Sequence, residues 1–174
     1  MARAGFAVKP LTSRPWWKSR QCDVRSVQRM TLPPGRSARW AAEQYSAWLP
    51  RFFRVLLRVD VDPRRNVRFR LPFCPVPLLE LTFAHERNQE TSRQVFFLTG
   101  GLAQRVIQTT GRPRLEFRQV LGGTPLLVAI HDYRPTLPWP LYNMTQARLH
   151  LWVMRAFARH LAGLQLQDSS QKLT

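Results

Sequence analysis

The sequence predicts an α+β fold. A curved antiparallel sheet of about five to seven strands packs around a long C-terminal helix, with a broken helix pair in the N-terminal third. Three observations carry this. Apolar residues recur at helical spacing from Ala41 to Leu56, they alternate with polar residues in several segments between Val67 and Tyr133, and helical spacing returns from Leu141 to about Leu161. The 174 residues amount to about one domain, since ordinary domains run roughly 100–200 residues. We expect a single domain over residues 1–164 and a polar, frayed tail over 165–174.

Residues 1–34 are rich in Arg, Pro and Trp, and Val24, Val27 and Met30 outline one strand between Gln21 and Leu32. Pro33-Pro34-Gly35 then breaks the chain. Ser37 is placed to cap a helix, because its hydroxyl can accept from an unpaired amide of the first turn. Ala41, Tyr45, Trp48, Phe52 and Leu56 form the apolar face of that helix. Pro50 removes a backbone donor and crowds the preceding turn, which predicts two short helices or one kinked helix.

After Pro63 the period becomes two. Val67, Phe69 and Leu71 alternate with Arg68 and Arg70, and Leu79, Leu81, Phe83 and His85 alternate with Glu80, Thr82 and Ala84. Arg93 to Thr99 contains the unbroken run Val95-Phe96-Phe97-Leu98, which suits a more buried strand. Thr99-Gly100-Gly101 is a sharp turn before a segment, Leu102 to Ile107, that can be helical. It lacks the Gly-Lys-Ser/Thr ending of a phosphate loop, so glycine's backbone freedom explains it. Leu115 and Phe117 alternate with Arg114, Glu116 and Arg118, and Gly122-Gly123 then turns the chain into a partner strand from Leu126 to Tyr133. Pro135, Pro138 and Pro140 hold an extended connection around Trp139. In the last helix Thr145, Leu149, Trp152, Val153, Ala156 and His160 share a face, Arg148, Arg155 and Arg159 lie on another, and Gly163 is a natural stop.

The net charge of +17 comes from 27 basic residues, 24 of them Arg, against 10 acidic ones. Such an excess favours anionic partners: nucleic acid, phospholipid headgroups or an acidic protein. Guanidinium groups bind phosphate bidentately, although a GC-rich coding sequence also raises arginine. No stretch approaches the roughly 20 apolar residues of a membrane-spanning helix. The start lacks the apolar core of a secretory leader, so a cytoplasmic protein is the expectation. Cys22 and Cys74 form no CxxC pair and read as buried thiols in a reducing compartment.

The sequence offers little catalytic chemistry. His85, His131, His150 and His160 show neither HxH nor HExxH spacing, and His131 and Asp132, as strand neighbours, point to opposite faces. No metal site and no cofactor is expected. A GxSxG elbow is absent, and Glu116 between Arg114 and Arg118 reads as a surface charge balancer.

This element order resembles the helix-grip (START-like, SRPBCC) superfamily. Tyr133-Arg134-Pro135 through Trp139-Pro140-Leu141-Tyr142 into His150 and Phe157 is similar to the end of some bacterial members. The family's sheets have six or seven strands, whereas the alternation here outlines five or six. The resemblance implies a cavity between sheet and helix for an apolar small molecule, lipid or polyketide-like compound; with so little catalytic chemistry the leading expectation is a non-enzymatic binding domain, and catalysis in that cavity would fall to His131 or His85. The inward strand positions Leu81, Phe83, Phe97, Leu115 and Phe117 would face Leu149, Trp152 and Val153, with His85 and His131 adding polar contacts. The rival is a filled core without a cavity. A second reading is a basic surface adaptor for anionic membrane or nucleic acid, using Arg148, Arg155 and Arg159 beside Trp152.

Overall fold

A computed structural model describes residues 24–102, 112–133 and 146–171. The stretch before Val24, the helical segment expected beyond Leu102 and the proline connection around Trp139 lie outside these residues. The elements run β1 (Val24–Thr31), α1 (Ala38–Phe52), β2 (Arg58–Val61), β3 (Val67–Arg70) and β4 (Pro77–Phe83). A single 3-10 turn (His85–Arg87) leads into β5 (Arg93–Gly100), β6 (Arg114–Gln119), β7 (Pro125–Tyr133) and α2 (Gln146–Gln171). The seven strands form one curled antiparallel sheet in the order β1-β7-β6-β5-β4-β3-β2. The fold is α+β as expected.

The alternation in sequence becomes two chemically distinct faces. Phe83, Phe96, Leu115 and Ile130 lie in register across β4, β5, β6 and β7, and Val67, Leu81 and Leu98 form the neighbouring row. These residues line the inner face. On the outer face, Thr82, Phe97, Arg114 and His131 follow one another across the same strands.

Ser37 caps α1 as expected, its Oγ accepting from the Trp40 amide at 3.3 Å. α1 buries Ala38, Ala41, Ala42, Tyr45 and Leu49 and packs on β5, β6 and β2. The expected broken helix pair is instead one helix with Pro50 in its last turn. A proline there withholds a single donor, the amide that would pair with the Ser46 carbonyl, and the helix runs only two residues further to its Phe53 cap, too short a piece to form a second helix. The chain then turns through Phe53 to Leu56, and Leu56 is exposed rather than on the apolar face. β2, which the sequence reading missed, follows at once. Its Val59 and Val61 alternate with Arg58 and Asp60, but four residues are too few to stand out after a helical pattern.

α2 lies along β1 and against α1, burying Val153, Met154, Phe157 and Leu161. Tyr45 is the junction. Its ring lies 5.3 Å from Phe117 on the sheet and 5.1 Å from Phe157 on α2. Trp48 adds a 5.5 Å contact to Phe157, and Phe52 a 4.5 Å contact to Trp152. Gly163 does not stop α2, which continues to Gln171. Glycine ends a helix by adopting a left-handed backbone, and Gly163 is not among the positive-φ glycines.

That backbone occurs instead at several turns, two of which bear on stability. Gly101 has φ +108, and a β-carbon there would run into the Leu78 carbonyl. The β6–β7 turn is centred on Leu121 (φ 58) and Gly122 (φ 60), one residue earlier than the Gly122-Gly123 pair predicted. Leu121 is exposed, so nothing but the turn constrains it. Leu121→Asn is expected to stabilise the protein by about 0.5–1 kcal/mol, since asparagine tolerates this region better than leucine. Gly101→Ala is expected to cost about 1–3 kcal/mol. Urea unfolding of both variants checks this; an asparagine variant less stable than the parent would contradict the turn assignment.

Candidate functional site

The inner face is not fully filled. A cavity of about 160 Å³ lies between the sheet and the helices, bordered mainly by apolar side chains. α1 and the turn after it supply Tyr45, Phe53 and Leu57, and α2 supplies Leu149, His150 and Val153. The strands supply Phe69, Leu79, Leu98 and Ile130, with Ser26 and Tyr133 from the β1–β7 pair. Tyr45, whose ring meets Phe157 at 5.1 Å, and Phe53, whose ring meets Phe69 at 5.9 Å, both border this space.

The polar groups of this lining are few. Ser26 Oγ lies 3.5 Å from the Gln28 amide nitrogen that donates to it. Tyr45 is buried, and burial pushes its phenol upward, so it stays protonated. His150 differs from these. Its Nε2 is shielded from solvent and has no hydrogen-bond partner. Burial pushes its imidazole down from 6.5 to about 4, so the ring is neutral at pH 7. No carboxylate and no thiol borders the cavity among the described residues. The lining can therefore bind and orient a molecule by hydrogen bonding, and it shows no acid–base pair.

A second cluster sits on the outer face. Glu116 is buried rather than a surface charge balancer. Arg93 grips it with Nε at 2.8 Å and Nη2 at 3.3 Å, with Arg114 Nε at 3.6 Å and His131 Nε2 at 3.8 Å. Burial alone would raise the Glu116 carboxyl, but the Arg93 hydrogen bonds and the charges of Arg93, His131 and Arg114 hold it below the usual range. Asp132 joins the same cluster, 3.0 Å from Arg114. His131 and Asp132 were expected on opposite faces. A bulge in β7 at this point, with Asp132 at φ 56, breaks the alternation and brings both beside Arg114 and Glu116. Among the described residues no group of three His, Cys, Asp or Glu side chains could hold a metal ion.

The residues expected around a ligand are dispersed. Leu149 borders the cavity. Phe83 and Phe117 are on the inner face but packed into the core, where their rings meet Phe96 at 5.2 Å and 6.2 Å. Phe97 points outward, beneath the guanidinium groups of Arg87 at 5.6 Å and Arg112 at 5.8 Å. An unbroken apolar run gives no alternation to choose a face, and here Phe96 and Leu98 took the inner one. His131 belongs to the outer cluster, while His85 is exposed in the 3-10 turn, 3.2 Å from the Arg64 carbonyl oxygen. Trp152 is partly exposed and packs on Phe52. Reasoning from sequence missed His150, although it follows Leu149 directly and lies one helical turn before Val153 and Met154.

Arg148, Arg155 and Arg159 are all exposed on α2. Cys74, expected to be buried, is only partly so, in the Leu71–Val76 loop between β3 and β4. Phe73 in that loop is fully exposed. No helix among the described residues is long and apolar enough to cross a membrane.

No family model matches the chain. The chain is 22% identical over 139 residues to the auxiliary protein GraX of Staphylococcus aureus, which covers 80% of this chain and 44% of that protein. It thus spans less than half the length of that relative. Among solved structures, Ara h 8.0201 aligns with 80% of this chain and 98% of its own, at 9% identity and a TM-score of 0.48. CalU16 from Micromonospora echinospora aligns with 84% and 98%, at 12% identity and a TM-score of 0.32.

His150 yields a pH prediction. Its folded value lies below its unfolded one, so the native state binds fewer protons between pH 6.5 and 4. Stability contributed by keeping the ring neutral is present above pH 6.5 and is lost as pH falls toward 4, by up to about 3 kcal/mol. Nitrogen-detected NMR is expected to show His150 titrating near 4. His150→Phe is expected to flatten the stability profile between these values; a ring that titrates near 6.5 would mean that water reaches it.

Proposed function

We propose that this protein binds a compact apolar molecule in the space between its sheet and its two helices, as a binding protein rather than an enzyme. The cavity itself supports this reading. Well-packed interiors leave few voids larger than a water molecule, whereas this one measures about 160 Å³. Size then limits the occupant. An apolar cavity of about 150 Å³ stays dry and takes up benzene, while pockets for drug-sized ligands run about 300–1,000 Å³. A single ring or a short branched chain fits as the structure stands. A whole lipid requires α2 to move away from the sheet.

Native mass spectrometry of the purified protein, followed by organic extraction, is expected to reveal a stoichiometric apolar adduct. Toluene, as a probe of matching size, is expected to raise the Tm by about 5–10 °C at a hundredfold excess over its Kd. Val153→Phe fills the space, so it should abolish both effects while costing under about 1 kcal/mol; overpacking a filled core costs about 1–3 kcal/mol. An adduct-free protein whose Tm toluene does not move would overturn the reading.

A second reading has its own observation. Val55, Leu56 and Val76 are exposed within two residues of the cavity-lining Leu57 and Leu78, and Leu149 and Trp152 are partly exposed beside them on α2. With Phe73 at the tip of its loop, these residues make an apolar rim. Arg51, Arg54, Arg148 and Arg155 are exposed on the same elements. Apolar tips among arginines match an anionic bilayer, where each basic residue near the surface contributes about 1 kcal/mol. Flotation with vesicles of 30 mol% phosphatidylserine (about one lipid in three) is expected to recover the protein, and Phe73→Ser to weaken this about tenfold. Equal binding to neutral vesicles, or preference for RNA, would count against it.

A further inference from the structure

We propose that the groove between the turn after α1 and the β3–β4 loop binds the phosphomonoester headgroup of an anionic lipid through Arg54, Arg58 and Arg70. The inference rests on the bilayer reading and adds to it a defined site and a headgroup class.

The groove is open to solvent and spans about 810 Å³. Arg54 and Val55 border it from the turn after α1, Leu71 and Phe73 from the loop, and Arg58 and Arg70 from β2 and β3. Arg58 and Arg70 are direct cross-strand partners, a position where like charges weaken a ladder. Asp60 answers them with a single carboxylate. Its Oδ1 accepts from Arg58 Nε at 3.2 Å, and its Oδ2 lies 3.5 Å from Arg70 Nη1. Arg54 has no carboxylate partner among the described residues. Three guanidinium groups thus meet one carboxylate, and two positive charges are left uncompensated. Around Glu116 the balance is closer, since Arg93 and Arg114 have both Glu116 and Asp132. The arginines of the groove are within reach of a ligand: the Arg58 side chain is 74% exposed, and Arg54 is exposed as well.

That charge matches a compact dianion. A phosphomonoester carries about −1.5 to −2 at pH 7, and its three terminal oxygens accept from guanidinium forks. A phosphatidylserine headgroup carries a net charge of only about −1. The apolar rim then selects a lipid over a soluble ester. Phe73 is fully exposed, and Val55 is 84% exposed. Phe73 also holds φ 64, a strained backbone for a bulky residue, and no ring contact among the described residues offsets it. Its ring stands clear of the protein beside the arginines, placed to enter the acyl region next to a bound headgroup.

The test is cosedimentation with vesicles of similar surface charge, about 15 mol% phosphatidate against about 30 mol% phosphatidylserine. The parent protein is expected to bind phosphatidate at least about tenfold more tightly. With Arg54→Gln and Arg58→Gln combined, both at exposed positions, that preference is expected to fall to about twofold or less. Arg148→Gln with Arg155→Gln should weaken both lipids alike and keep the preference, because those side chains supply only general attraction. Equal binding of the parent to the two vesicles would overturn the inference and leave the bilayer reading standing. So would a preference that survives the loss of Arg54 and Arg58. Binding to neither vesicle would sink the bilayer reading and this inference with it. Glycerol 3-phosphate or hexaglutamate bound in calorimetry without vesicle binding would also overturn the inference, and would assign the groove to a soluble ester or an acidic protein.

Discussion

The fold depends on one aromatic junction. Tyr45 is the residue through which the sheet, α1 and α2 touch, with ring contacts to Phe117, Phe157 and Trp48. Each such pair contributes about 0.5–1.5 kcal/mol beyond the area it buries. A second ring contact, Phe52 on Trp152, ties the same two helices together, and Tyr45 itself borders the cavity between them and the sheet.

The sheet separates two chemistries. Its inner face carries the apolar rows and the cavity. Its outer face carries a charged lattice in which arginines alternate with the scarce acids: Arg93 and Arg114 on Glu116, Arg68 on Asp62 and Glu80, and Arg58 and Arg70 on Asp60. Part of the arginine excess is therefore structural. Cross-strand pairs of opposite charge stabilise a ladder, whereas like charges side by side weaken it. The exposed Arg51 and Arg54 at the end of α1 and the exposed Arg148, Arg155 and Arg159 on α2 face solvent or an anionic partner.

Much of this was legible in the sequence. Ser37 announced the start of α1, and the alternation from Val67 to Phe83 placed β3 and β4. What was lost has physical causes. Phe97 sits in an apolar run, where period two vanishes. His131 and Asp132 share a face because of a bulge, which leaves no mark on the pattern. Gly163 stays helical, since glycine permits a stop without enforcing one. The site was the least legible part. His150 was set aside as a metal ligand and quoted for the resemblance, but not as a lining residue, because no pattern within α2 says that the space opposite it is left unfilled. That property belongs to the packing of β4, β5 and β7 against two helices.

The pairing of β1 with β7 has a consequence for how the chain is made. Thr31 finds its partner in Pro125, and a ribosome adding about 5–20 residues per second needs roughly 5–20 s to deliver it. Throughout that interval β2 to β6 can pair hairpin by hairpin, but β1 has no neighbour. Of the seven described strands, β1 is thus made first and hydrogen-bonded last. Until then Met30, which is later buried, is open to capture by chaperones or by another nascent chain.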